Sequence, residues 1–396
     1  MPHALQARFT GCVIYSGKYS IFGGFRGMSI TSRDYLSAKN PDLKATQFTM
    51  AIDGGYSASV ITYGAVITDL IVPDKDGKPT DIMLGCKGLD EYMGNGANHG
   101  AVVGRSANRI LNASFVINGE EYHIPKNEGE NNLHSGNPGY HNVFWDAEIL
   151  SEEEADEFIL DSKIAGIPGC DGGAVLLSYT SPDGATGFPG NLDTKVLYCW
   201  LEDKTFLILY CGKTDKDTIF APTNHAYFNL RGEAAEGTVN DDLIMINSDK
   251  ITIKDDHNVP TGELLDVDGT VFDCREYRFI GELNDSDDHQ MVISKGIDQN
   301  FCLNTTAGTL SFAAAVTSPE SGITMECLTD LPGIQIYAGN NLGSPLDIKT
   351  TKAYGQYDAI CLEAQMVPNA VNLPQFDSPV IKAGKKVYHA CGYRFV

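Results

Sequence analysis

The chain has 396 residues, 42% of them hydrophobic and 9% aromatic, enough for a large core and too apolar for a disordered protein. Its formal charge of -23 argues against a nucleic-acid or anionic-membrane partner, since a polyanion would be repelled over most of the surface. Its ten cysteines form no CxxC pair, so neither a zinc site nor a disulfide framework is signalled, and reduced buried thiols in a cytoplasmic protein are expected.

Residues 1–45 read as an N-terminal extension of uncertain order. They carry a Gly-rich stretch (Gly17, Gly23, Gly24, Gly27), no clear periodicity and an internal Met28 from which translation could begin. The N-terminus has no basic-then-apolar leader, and no apolar run approaches the roughly 18 residues of a membrane span. From Thr46 the pattern is β throughout, and residues 46–396 read as one domain. Alternation runs from Ala58 to Val72, and turn signals recur at Asp53-Gly54, Asp76-Gly77, Asn118-Gly119, Asp183-Gly184 and Asp268-Gly269.

The clearest hairpin is Ser114 to Ile124 around Asn118-Gly119, and Leu89 to Met93 is a short helical candidate. The acidic runs Glu152 to Glu157 and Asp285 to Asp288 are expected as solvated loops. The fold class is therefore all-β, a large antiparallel β-sandwich with few short helices.

Chemistry that needs a bound group is not signalled. No GxGxxG follows a strand, and Cys211-Gly-Lys-Thr214 has Leu207 where a phosphate loop needs its first glycine. Gly104-Arg-Ser-Ala-Asn108 leaves Ser106 without a nucleophile turn, and HExxH does not occur. Cofactor and metal are both expected to be none, leaving acid and base side chains to act.

One stretch offers them: Phe220-Ala-Pro-Thr-Asn-His-Ala-Tyr-Phe-Asn-Leu230, just after the apolar run Phe206 to Tyr210. His225 there fits two readings, a proton-transfer group and a core histidine satisfied by backbone. Glu363 lies in an apolar run, where a carboxylate is either partnered or functional.

Four further segments combine polar side chains with glycine or aromatic neighbours: Gly104 to Ile110, Asn131 to Gly136, Gly296 to Phe301 and Cys361 to Asn372. In this order, with Ser178 to Gly184, Val259 to Gly262 and Leu331 to Tyr337, they resemble the aldose 1-epimerase (galactose mutarotase) family from about Thr46 to the C-terminus. The resemblance implies the galactose mutarotase-like supersandwich and interconversion of α and β anomers of free hexoses such as galactose and glucose. It also implies His225 as the general acid at the ring oxygen and Glu363 as the base at the anomeric hydroxyl. Arg109 and His134 would bind and polarise the sugar, Asp298 would hold ring hydroxyls, and Gln335 and Asn108 would support them. Tyr227 and Phe228 are expected to wall the cleft, with Asn224 and Asn229 orienting the loop. Arg105 is read as a scaffold residue, and His99, His123, His141, His257, His289 and His389 as surface or structural.

The expected partner is a small monosaccharide, for a monomer or homodimer. Two rivals stand beside this reading: a non-catalytic sugar-binding protein on the same scaffold and an epimerase of hexose 6-phosphates. A third is glycoside hydrolysis by Glu363 with Asp298. Ala226, Ala364, Met366 and Tyr357 depart from the family's usual wording, which bears on sugar preference.

Overall fold

The computed structural model describes residues 20–22 and 27–396; Cys12 and most of the Gly-rich stretch, Gly17, Gly23 and Gly24, lie outside the described residues. Three antiparallel sheets carry the architecture. The first is a six-stranded meander in chain order: Ser20–Phe22, Ser29–Leu36, Lys44–Ile52, Tyr56–Ile61, Ile67–Pro73 and Pro79–Asp81. Part of the segment read as an extension is thus a strand, Ser29–Leu36, paired along its length with Lys44–Ile52. Met28 just before it and Ile30 within it are buried in the core.

The second sheet has nine strands, with Cys170–Ser181, Leu192–Leu201, Thr205–Thr214 and the C-terminal Lys386–Phe395 adjacent near one side. Its central strands are apolar on both faces because both are covered. Val196, Tyr198, Trp200, Phe206, Ile208 and Tyr210 join Met50, Val60 and Leu70 of the first sheet in the main core. The alternate residues Leu197, Cys199, Leu201, Leu207 and Leu209 pack instead beneath Ala155 and Ile159 of the helix Glu152–Ser162.

That helix corrects the expected loop at 152–157. Ser151 accepts from the Glu154 amide while the Glu154 carboxylate accepts from the Ser151 N–H, a capping box, and Ala155 and Ile159 supply an apolar face one turn apart. The other acidic run also differs from a free loop, because Asp288 accepts from the Gln290 N–H and caps the short helix His289–Val292. The short helix Leu89–Gly94 and the hairpin of Ser114–Ile117 with Glu120–His123 stand where expected. Asn118 and Gly119 both take positive φ, 53° and 83°, as a tight two-residue hairpin turn requires.

Arg105 acts as a buried tie rod: its guanidinium donates to Ser181 Oγ, Thr218 Oγ1 and the carbonyls of Ser181, Pro182, Pro189 and Gly190. Nine cysteines among the described residues are free thiols, eight of them buried. No helix among the described residues is long and apolar enough to cross a membrane.

The third sheet positions the site. Its order is Pro260–Asp266, Ser248–Lys254, Asp298–Leu303, Gly333–Tyr337, Cys361–Gln365. Alternation divides its faces: Phe301, Ile334, Ile336, Leu362 and Ala364 enter the core, while polar residues on the opposite face meet across the ladder.

Candidate active site

Register makes that opposite face a polar platform. Gln335 lies directly across from Glu363 on one side and Asn300 on the other, and Tyr337 across from Cys361 and Asp298 in the next row. Gln335 Nε2 donates to Asp298 Oδ1, while its Oε1 accepts from Asn108 Nδ2 at 3.1 Å and Gln365 Nε2 at 3.3 Å. Gln335 is therefore fixed in orientation, and it fixes the Asp298 carboxylate in turn.

His225 reaches this platform from another segment. Thr223–Asn224 pairs with Val102–Val103, and the pairing continues as the His225 N–H donates to Ala101 O and the Gly100 N–H to His225 O. Asn224 Nδ2 donates to Gly100 O, and Thr223 Oγ1 donates to Ala364 O, tying the segment to the strand of Glu363. Gly100 is needed here: its φ is +66°, and a Cβ would lie 2.2 Å from Ile67 O. Asn229 Nδ2 donates to Asp358 O, so both asparagines brace the loop.

The result is a His225 Nε2 to Glu363 Oε1 distance of 3.8 Å, with the two side chains 9% and 4% exposed. That is beyond hydrogen-bonding reach, so both atoms are available to a substrate. The other ring nitrogen, Nδ1, faces Cys361 Sγ at 3.7 Å. The imidazole stacks on Tyr227 at 4.9 Å and meets His134 edge-on at 5.5 Å. Tyr227 lines the cavity as expected, but Phe228 does not. Consecutive extended residues point opposite ways, and Phe228 sits in the core against Tyr393.

Arg109–Ile110 pairs with Asn132–Leu133, which delivers both Arg109 and His134. The Asn108 N–H donates to His134 Nδ1 at 3.2 Å, which leaves the ring proton on Nε2. Asn108, His134 and Ser135 all have left-handed φ of 57°, 55° and 66°. Such backbone costs about 1 kcal/mol or more per residue and persists where surrounding bonds hold it. The Ser106 N–H to Ser135 Oγ bond and the Ser135 Oγ–H to Ser106 O bond are two of those holds.

Arg109 makes a two-pronged pair with Glu128, at 2.6 and 2.7 Å, which aims its guanidinium. Glu128 had no recognisable signal, because its meaning comes from that pairing alone. His141 and His99 were read as surface or structural, yet both line the cavity.

All seven residues singled out in the sequence, Asn108, Arg109, His134, His225, Asp298, Gln335 and Glu363, line one cavity of about 770 Å³. A hexose fits such a volume easily. Burial pushes His225 down to about 4, aided by His99 and opposed by Asp298. Burial, then the negative charge of Asp298, pushes Glu363 well above the usual carboxylate range, with Arg109 opposing. His134 is driven well below its ordinary value, first by burial and then by His225. Both members of the His225 and Glu363 pair are thus biased to their neutral forms.

His225, Cys361 and Glu363 also form a cluster of possible metal donors. The imidazole turns Nδ1 to the thiol and Nε2 to the carboxylate, and one donor atom from each of the three residues lies within 4.8 Å of the others. Three donors are one fewer than a closed structural zinc centre uses.

The sequence matches the aldose 1-epimerase family over residues 46–394. The chain belongs to the aldose 1-epimerase family. Within that family it is 34% identical to galactose mutarotase of Rattus norvegicus over 340 residues, 86% of this chain and 91% of that one. An aldose epimerase homologue from C. elegans superposes with TM-score 0.77 at 25% identity, covering 89% of this chain and 99% of the other. Galactose 1-epimerase from Lactobacillus acidophilus gives 0.75 at 26% identity, covering 92% and 98%. The sandwich is therefore the galactose mutarotase-like fold of the family.

Proposed function

We propose that the protein is an aldose 1-epimerase that interconverts the α and β anomers of free hexoses, galactose and glucose among them. The observation that carries the reading is the pairing of a buried imidazole with a buried carboxylate at 3.8 Å, on the floor of a polar cavity large enough for a sugar. Glu363 takes the proton of the anomeric hydroxyl while His225 gives one to the ring oxygen, and the ring opens. Rotation about the bond from C1 to C2 presents the other carbonyl face, and the two transfers reverse to close the ring.

The pKa directions suit that cycle. Opening converts an ionic pair, imidazolium and carboxylate, into a neutral one. Burial of both groups favours the neutral pair that opening leaves. Arg109 and the Nε2–H of His134 donate to sugar oxygens, Asp298 accepts from ring hydroxyls, and Gln335 with Asn108 keeps Asp298 in place. Neither metal nor nucleotide has a step to perform in this scheme.

A phosphorylated sugar is disfavoured by the lining: Glu128, Asp298, Asp347 and Glu363 are acidic, and Arg109 is already paired with Glu128. The reading further places the enzyme in the cytoplasm, as a monomer or homodimer. Polarimetry on freshly dissolved α-D-galactose tests the activity. Purified protein should hasten the approach to anomeric equilibrium, and sugar binding with no acceleration would favour a sensing protein instead.

A further inference from the structure

Against Tyr227, in the wall of the same cavity, lies a second buried pair. His99 Nε2 meets Asp347 Oδ1 at 2.9 Å, and the two side chains are 0% and 2% exposed. Burying this pair is costly unless the carboxylate is well satisfied, and it is. Asp347 also accepts from Asn95 Nδ2 at 3.0 Å and from the Gly343 and Ser344 amides at 3.0 and 2.8 Å. Burial opposes its charge, but His99 first, then the Gly343 amide and Asn95, hold it well below the usual carboxylate range. The carboxylate therefore orients the His99 ring with Nε2–H as donor.

The oriented ring packs on Tyr227 at 4.6 Å, and Tyr227 is the platform on which His225 stacks. The backbone following His99 clamps the same segment, through the Gly100 and Ala101 bonds to His225. Asp347 is 248 residues away in sequence, in the loop between the strands of Tyr337 and Cys361, so the pair joins two walls of the cavity.

We propose that His99, oriented by Asp347, is a positioning residue: through Tyr227 it holds the His225 imidazole at Glu363 and sets part of the charge that imidazole feels. The inference rests on the epimerase reading given above.

Other groups face His225 as well. Cys361 and Glu363 do so from the strand Cys361–Gln365, Tyr337 from its neighbour Gly333–Tyr337, His134 from the segment after Asn132–Leu133, and Asp298 and His141 act from further off. They stay in place when only His99 or Asp347 is changed. The two changes should act in opposite senses. His99→Phe keeps a ring against Tyr227 but leaves the Asp347 charge less shared, which favours imidazolium at His225. Asp347→Asn removes that charge and disfavours it.

The test is the titration of His225 by NMR, together with kcat and KM for galactose from polarimetry across pH. His99→Phe should raise the His225 titration and Asp347→Asn should lower it. For each variant kcat should fall by about tenfold while KM stays within about twofold, the mark of a group acting on proton transfer rather than on binding. An unchanged titration and kcat in folded variants would overturn the inference. So would shifts of the same sign with kcat and KM both impaired, since that is the signature of general loosening. Should Asp347→Asn free the 343–347 loop that it caps, His99→Phe leaves those caps intact, and its titration decides alone. A wild-type protein that does not mutarotate would defeat the epimerase reading, whereas an active wild type with unaffected variants defeats only this inference.

Discussion

Proton transfer in the cavity depends on two side chains whose charges burial opposes. Glu363→Gln and His225→Ala should each lower kcat roughly a hundred- to ten-thousandfold in polarimetric assay, with the fold unchanged by circular dichroism. The free-enzyme pH profile follows from the directions of the shifts. The active pair carries one proton, so kcat/KM should fall as pH drops through about 4, where His225 gains a second. It should fall again on the alkaline side as Glu363 loses its own. Asp298 is the negative neighbour that helps to raise Glu363. Asp298→Asn should therefore move the alkaline limb to lower pH, and a limb that stays put or moves upward would contradict the electrostatic account. The same variant should raise KM if Asp298 accepts from ring hydroxyls.

Among the elements, the strands Thr324–Thr329 and Lys386–Phe395 are bridged by Asp330, whose Oδ1 accepts from the Ala390 N–H at 2.7 Å. Burial pushes the Asp330 carboxyl up to about 6, and His389, 4.0 Å away, is pushed down to about 4, so above about pH 6 Asp330 ionises beside a neutral imidazole that offers it no countercharge. A carboxyl whose folded pKa is raised destabilises the fold as it ionises, an effect that grows between the unfolded value and about 6. Asp330→Asn should thus leave stability nearly unchanged near pH 4 and increase it by about 2 to 3 kcal/mol at pH 7, read from denaturant unfolding at the two pH values. The helix Glu152–Ser162 gives a second test. Ser151→Ala removes the cap and half of the reciprocal box, and should cost about 1 kcal/mol.

For the whole molecule, the first sheet begins before the stretch that matches the family. Ser29–Leu36 covers the edge of Lys44–Ile52, and Met28 and Ile30 add buried apolar surface. Deleting residues 1–39 should expose that edge, lower the melting temperature and promote association on gel filtration, because an uncovered strand is a template for pairing. A chain beginning at Met28 keeps that strand and loses only the three-residue Ser20–Phe22, so its melting temperature should stay close to that of the full chain.

Much of this architecture was legible in the chain alone. Period-two alternation, Asx-Gly turns and doubly apolar central strands are local properties, so they announced an antiparallel sandwich, the Asn118-Gly119 hairpin and buried cysteines. The capping box at Ser151 was equally local, yet the density of acid around it hid the helix, whose stability comes from Ala155 and Ile159 packing on the second sheet. Motif wording reached seven cavity residues through family resemblance. The direction of a side chain was harder to read, and Phe228 turned to the core because its neighbour Tyr227 faced the cavity. What the tertiary structure alone decided were pairings across long stretches of chain: Glu128 on Arg109, Gln335 between Asn108 and Asp298, and Asp347 on His99. A carboxylate's partner, and hence its charge and role, depends on which strands the fold lays side by side. Composition and spacing carry no record of that, and so the proton chemistry of His225 and Glu363 became measurable only once burial and register had set their distance and their shifted pKa values.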